Sequence, residues 1–503
     1  MICALQNSSN RRWVLLIPLA GTLLTNCTVG PKYKPPVTAT PQAFKETASF
    51  KEGAPQMSPD GILWKAAKPQ DAESRGRWWE VYEEPELNGL EDRLNSSNQN
   101  IAQSYQNYLA ARALVRVARS NYFPTVTTNP AYTRTRSSAN LSAQRGPASD
   151  LTSENFNFPF EASWEPDIWG RVRNSVRQAA NQAQVSAADL ANVRLLQQAN
   201  LATYYFEIRG QDALIALYQR TVVAYRNSLV LTETLNRTGI DDEQTVAQAD
   251  LNLQTAESSL INLRIARAQY EHAIAVLVGE LAESLSLPVK ELTTAAPIMP
   301  PGVPSELLER RPDIAAAERT MAAANALIGV QTAAFYPSFS ITAQAGLQSG
   351  SIGNWLQWPS RFFSIGLSAA LTLFDAGARR ATLASYQAQY EADSAAYRQT
   401  VLTAFQQTED ALAQQRYLAE QLFQQQAAIG AAQKYLDLAN TRFSAGLDPY
   451  LDIYTAETSL LTEQQTFVNL RVSQMTSNVQ LIEALGGGWD RAQLPTEKDV
   501  AAK

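Results

Sequence analysis

Three glycines recur at one fixed interval, and this constrains the chain more than any other feature. Gly170, Gly239 and Gly279 each have a counterpart 207 residues later, in Gly377, Gly446 and Gly486. The flanks hold the same register: Thr234 maps to Thr441, Ala249 to Ala456, Asp250 to Glu457 and Leu253 to Leu460. Upstream, "ARSNYFPT" parallels "TAAFYPSF", and Pro124 matches Pro337 at an offset of 213. The six-residue difference must fall between these markers, where a hairpin loop can absorb it. The chain is therefore a duplication, and each half must satisfy the same fold.

Each half reads in the same order: helix to the proline, two strands, a long helix, a glycine turn and a second helix. From Gly170 to Gly239 there are 69 steps without a proline, roughly 100 Å as one helix at 1.5 Å per residue. The stretch is rich in Ala and Gln, which favour helix. After the turn, Leu253, Ala256, Leu260, Leu263, Ala266, Tyr270, Ala273 and Leu277 recur at steps of three and four. That is a narrow apolar seam of the coiled-coil kind. The strands are expected near 124–136, 155–165, 338–348 and 363–374. In "SFSITAQAGLQSG" the residues alternate, with Phe339, Ile341, Ala343, Ala345 and Leu347 on one face and Ser340, Thr342 and Gln344 on the other. The strand near 124–136 is the least regular, because Pro130 interrupts it and an internal proline fits a ladder poorly.

Outside the repeats, 27–85 reads as a Pro-rich tether and an equatorial segment, and 281–311 as an irregular connection between repeat 1 (86–280) and repeat 2 (312–487), with a tail at 488–503. The N-terminal 26 residues read as a signal peptide: Arg11 and Arg12, then an apolar run from Trp13 to Leu24. Leu24-Thr25-Asn26-Cys27 resembles a lipobox, which makes Cys27 the expected site of a covalent lipid. Asn26 stands where Gly, Ala or Ser is usual. A plain signal peptide or an uncleaved anchor is the alternative. Thr28 follows, not the Asp that would hold a lipoprotein at the inner membrane. No later run is long and apolar enough for a transmembrane helix, so any crossing must be made by strands.

Composition excludes several functions. The net charge of −6 offers no global signal for nucleic acid. Cys3, Cys27 and His272 are the only soft metal ligands, too few for a zinc site. There is no phosphate-binding Gly-rich loop before a Lys and no G-x-S-x-G elbow, so neither an enzyme nor a cofactor is expected. Four strands cannot close a barrel, and an open edge in lipid leaves backbone groups unpaired at several kcal/mol each. Two copies would supply eight strands and three would supply twelve. The pattern thus points to an oligomeric barrel continued by a helical tube, with the polar strand face lining a wet lumen.

"LLERRPDIAAAERTMAAANALIGVQTAAFYPSFSITAQAGLQSG" resembles the second repeat of the outer-membrane factor family, the TolC- and OprM-like channels. "CTVGPKYKPP" and "RWWEVYEEPELNGL" resemble its lipoprotein branch of NodT-type efflux outlets. The resemblance implies a homotrimer with a 12-stranded outer-membrane barrel on a long periplasmic α-helical tunnel. It implies the role of outlet duct in a tripartite efflux pump. The partners would be a periplasmic adaptor and an inner-membrane transporter of the resistance-nodulation-division type, with outer-membrane lipid around the barrel. It also implies two sites. Thr238, Gly239, Ile240, Ala445, Gly446 and Leu447 would form the adaptor-contact tips. Phe443, Asp448, Leu451, Asp452 and Thr455 would form the periplasmic gate, Leu451 matching a hydrophobic gate position and Thr455 standing where the family often has Asp. Asp241, Asp242 and Glu243 read instead as an acidic helix start. An outlet for secreted proteins and a pore-free coiled-coil lipoprotein are the alternatives; the second leaves the four strands unexplained.

Overall fold

A computed structural model of the chain describes residues 28–36, 41, 44–46, 56, 57, 63, 64, 76–138, 152–297 and 306–501. Seven helices of 13 residues or more and five strand segments build the two halves. They are α1 (Pro85–Ser97), α2 (Gln99–Ser120), β1 (Thr125–Thr128), β2 (Ala131–Arg136), β3 (Thr152–Trp164), α3 (Arg171–Arg237), α4 (Glu243–Leu277), α5 (Pro312–Ala333), β4 (Ser338–Ser349), β5 (Arg361–Ala370), α6 (Ala378–Ser444) and α7 (Tyr450–Ala484). The duplication appears as equal lengths: α3 and α6 have 67 residues each, α4 and α7 have 35, and α2 and α5 have 22. At 1.5 Å per residue the longest pair each extend roughly 100 Å. The seam read on α4 is buried or half-buried along its whole length. Leu253 and Ala256 pack there against Val222 and Tyr225 of α3.

The third glycine pair marks where each half closes on itself. Gly279 and Gly486 adopt φ of +73° and +91°. A methyl on Gly279 would overlap the carbonyl oxygen of Ser97, and one on Gly486 that of Arg310. The chain entering the first helix of each half therefore presses on the glycine that ends the last. Different residues secure the two contacts. Asn98 caps α2 by accepting from Asn100 and Ile101, and its amide donates to Leu277 O at 2.8 Å. At the equivalent place Arg311 donates to Ala484 O at 3.0 Å and pairs with Asp313 at 2.7 Å.

The strands form one antiparallel sheet in the order β1 and β2, β3, β4, β5. The first strand, expected as one element over 124–136, is broken into β1 and β2. Its register is nevertheless continuous: Thr128 faces Phe160 and Ala131 faces Asn157. The gap places Asn129 opposite Pro159 and Pro130 opposite Phe158, so each of two successive pairs lacks one N–H and the ladder cannot close. The Thr128 hydroxyl takes the Pro159 carbonyl instead, at 2.8 Å. Thr125 faces Ser163 in one half and Ser338 faces Ala370 in the other. These pairs match the offsets of 213 and 207, so the six extra residues lie in the first hairpin loop. The second strand begins at Thr152 rather than near 155, and the fourth spans 361–370 rather than 363–374.

Register sorts the faces. Rows such as Trp164–Ile341–Leu367, Ala162–Ala343–Ile365 and Phe160–Ala345–Phe363 make one side apolar. Phe363, Ile365 and Leu367 are 82%, 78% and 73% exposed there. Phe339 to Leu347 spans about 27 Å along the strand at 3.4 Å per residue. The other side is polar and laced across strands: Gln344 donates to Glu161 at 2.6 Å, Gln348 to Asn155 at 3.0 Å, and the Ser340 and Ser368 hydroxyls meet at 2.7 Å. The outer edges of β1–β2 and of β5 have no strand partner among the described residues. No described helix is long and apolar enough to cross a membrane.

Midway down the long helices lies the main core, with Trp79, Tyr82, Leu87, Leu94, Tyr205, Phe206 and Ile274 fully enclosed. A buried charge network stands beside it. Asp212 accepts from Arg209 at 3.1 Å, from Arg267 at 2.6 Å and from the Lys290 N–H at 3.0 Å. Arg209 also meets Glu86 and donates to Pro288 O at 2.7 Å. These charges fasten the irregular connection between the halves onto α3 and α4. The N-terminal strap and the C-terminal tail converge on α5. The Tyr33 hydroxyl donates to the buried Glu318 at 2.5 Å, and Arg491 reaches the same carboxylate at 3.2 Å.

Candidate functional site

The ends of the long helices remote from the sheet carry the predicted tips. At the first, Thr238 closes α3, Gly239 takes φ of +75°, and Ile240 N–H returns to Leu235 O at 3.0 Å. At the second, Ala445 closes α6, Gly446 takes φ of +70°, and Leu447 N–H returns to Arg442 O at 3.0 Å. Both are left-handed glycine stops that satisfy the last helical carbonyls. Nothing lies near either glycine on the Cβ side, so the backbone conformation alone requires them. Each stop throws one apolar side chain outward, Ile240 at 74% exposure and Leu447 at 68%. The two related turns thus each expose a single apolar side chain at the end of the molecule remote from the sheet.

The tips differ in charge. Asp242 caps α4 by accepting the Thr245 N–H at 2.9 Å, and the Thr245 hydroxyl donates to Asp241 and Asp242. These bonds hold the Asp242 carboxyl below its ordinary range. The acidic run is thus a helix start, as its sequence suggests. At the second tip Asp448 does not cap; Pro449 occupies the cap position of α7. Arg442 holds Asp448 instead, donating at 2.8 Å, and this pairing lowers the Asp448 carboxyl.

The predicted gate residues separate into two groups. Phe443 turns inward: it is half-buried and packs edge-to-face on Tyr450 at 6.0 Å, beside Ala439 and Ile453. Leu451 points outward at 59% exposure. Thr455 follows one turn later on the same face, its hydroxyl donating to Leu451 O at 2.9 Å. Asp452 lies in the first turn of α7 and makes no side-chain hydrogen bond or ion pair among the described residues; its charge acts on Arg442. The structure therefore presents Leu451, Asp452 and Thr455 near the tip, ties Asp448 to Arg442, and sets Phe443 in the seam. Cys27 lies outside the described residues.

Sequence reasoning missed two residues here. Arg442 reads as an ordinary last-turn cation; its partner six positions on emerges only when the turn folds. Glu457 sits on the buried side of α7, its charge felt by Tyr225 of α3 and by Tyr450. One of its carboxylate oxygens has no hydrogen-bond partner, and burial pushes the group up to about 7. A carboxylate in an otherwise apolar seam was the available signal. His272 is exposed on α4. No cluster of three or more metal-ligating side chains occurs among the described residues.

Known proteins share both sequence and architecture with this chain. The family described as outer membrane efflux protein matches residues 90–280 and 303–487. The antibiotic efflux pump outer membrane protein ArpC of Pseudomonas putida is 32% identical over 489 residues, covering 95% of this chain and 96% of its own length. The toluene efflux pump outer membrane protein TtgC, also of Pseudomonas putida, matches to the same extent. The solved outer-membrane channel OprN superposes with a TM-score of 0.81 at 28% identity, covering 92% of this chain and all of that one. Two matched segments that coincide with the two halves, and similarity along nearly the full length, establish that this chain belongs to the outer membrane efflux protein family.

Proposed function

We propose that the chain is the outer-membrane duct of a tripartite efflux pump and passes small toxic compounds from the periplasm to the outside. The sheet carries this reading: four amphipathic strands with two edges that have no strand partner among the described residues, set on helices roughly 100 Å long. In lipid such edges must pair, and three copies closing edge to edge make a barrel of twelve strands. The polar face, with Thr342, Gln344 and Glu161, then lines the lumen. The helices continue the barrel as a periplasmic tunnel, ending at the tips where Ile240 and Leu447 meet an adaptor. Behind the adaptor stands an inner-membrane transporter, of the resistance-nodulation-division type by family resemblance. Leu451 narrows the resting tunnel, and Asp452 forms an acidic ring of three that favours cations. Antibiotics and organic solvents, named for the relatives, are the substrate classes to test first.

The position of Thr28 supports a lipid on Cys27. Thr28 packs against Gly170, and Val29 N–H donates to Trp169 O at 3.1 Å. Trp169 in turn stacks on Tyr336 at 4.8 Å and donates to Pro337 O at 2.8 Å. Thr28 thus lies at the aromatic junction of sheet and helices, and a lipid on the residue before it would have the adjacent leaflet within reach. Deleting the protein should sensitise cells to antibiotics and solvents while protein secretion continues; lost secretion with unchanged sensitivity would refute the efflux role.

A further inference from the structure

We infer that the rim of the sheet's apolar face farthest from the helices binds the phosphate groups of anionic glycolipid in the outer leaflet. The inference rests on the reading above that this face meets the lipid of an outer membrane. Within the described strands and the hairpin segment between β4 and β5, the charged residues are Arg134, Arg136, Glu154, Glu161 and Arg361. Glu161 belongs to the polar face, where Gln344 holds it. Register assigns the other four to the apolar face. Arg134 faces Glu154 and Arg136 faces Thr152, continuing the side that holds Tyr132 and Phe156, while Arg361 faces Leu347. All four lie at the hairpin end of the sheet. The rows between Leu347 and Phe339 contain no other charge on this face.

An aromatic belt lies between the apolar band and Arg134, Arg136 and Glu154, while Arg361 stands in the row of Phe158 and Leu347, at the belt's inner edge. Tyr132 lies 4.6 Å from Phe156, Phe156 lies 5.7 Å from Trp355, and Trp358 is 76% exposed. Such belts mark the depth of lipid head groups. Arg361 stacks over Trp358 at 4.2 Å, which aims its guanidinium at that level. Arg134 is partly offset by Glu154 at 3.6 Å, with 65% of its own side chain exposed. Arg136 and Arg361 have no ion pair among the described residues. The described residues of the rim, Arg134, Arg136, Arg361 and Glu154, thus carry a net charge of +2 per copy, at the depth where phosphates sit. Guanidinium groups bind phosphate oxygens in a bidentate fork. A hydrated rim alone would not need its positive charge confined to this face and this end.

The test uses the full-length protein in phosphatidylcholine vesicles that contain a trace of dansyl-labelled lipid A, or of dansyl-labelled phosphatidylcholine. Energy transfer from tryptophan reports which lipid gathers around the protein. Wild type should favour lipid A by about fivefold or more, given the effect of one basic residue at an anionic surface. The triple change Arg134→Gln, Arg136→Gln, Arg361→Gln should bring the ratio near unity, and Lys at the same positions, which keeps the charge but not the fork, should give an intermediate ratio. Glu154→Gln, which unmasks Arg134, should raise it. Equal transfer from both lipids in wild type, or a preference unchanged in the Gln variant, would overturn the inference. Absence of transfer from either lipid would instead overturn the membrane reading beneath it.

Discussion

Glu457→Gln tests how the α7–α3 contact near the second tip is held. In the folded chain the Glu457 carboxyl is raised from 4.5 to about 7 because burial disfavours its charge. It therefore holds its proton more tightly folded than unfolded, by about 3 kcal/mol. Between pH 4.5 and about 7 the folded state carries the extra proton, so stability falls as pH rises through this window. Above it the seam contains a buried carboxylate without a cation. Gln mimics the protonated acid and cannot titrate. Hydrogen exchange of the α7 amides around Glu457 provides the assay, corrected for intrinsic rates. Wild-type protection should drop by up to about a hundredfold from pH 5 to pH 8. Glu457→Gln should be flat across this range and better protected at pH 8. Identical, pH-independent protection in both proteins would refute the buried-acid account.

Gly486→Ala forces a methyl onto the Arg310 carbonyl at a φ of +91°; it should cost about 2 kcal/mol or more, visible as a lowered denaturant midpoint. Asp212→Asn leaves Arg209 and Arg267 without their shared buried carboxylate. It should destabilise by about 3–5 kcal/mol in chemical unfolding and release the connection around Pro288. The pair Ile240→Asp and Leu447→Asp changes only exposed tip residues. It should leave unfolding unchanged within about 0.5 kcal/mol while abolishing drug resistance and cross-linking to the adaptor. Retained resistance would remove the tips from the docking surface.

Local periodicity made much of this fold legible. Glycines at an offset of 207 and prolines at 213 fixed helices of equal length in both halves. Alternation in 338–349 sorted a greasy face from a wet one, as the cross-strand pairs confirm. Features that depend on distant residues were not legible. Pro130 alone suggested an awkward strand; the break became intelligible only when Pro159 emerged across the gap. Glu86, Arg209, Asp212 and Arg267 do not stand out in the sequence, because nothing local shows that three segments bring them together. Phe443 resembled a gate residue in sequence, yet its ring fills the seam beside Tyr450. Leu451, eight positions on, projects outward because it falls on the opposite face of α7 from buried Tyr450 and Ile453.

In the proposed assembly one chain supplies a third of a closed conducting barrel. Native mass spectrometry of the detergent-extracted particle, paired with conductance of the same sample in planar bilayers, tests it most directly. A particle of three chains that conducts, mostly closed and cation-preferring, is the predicted result. A conducting particle of one or two chains, or a three-chain particle that never conducts, would contradict it.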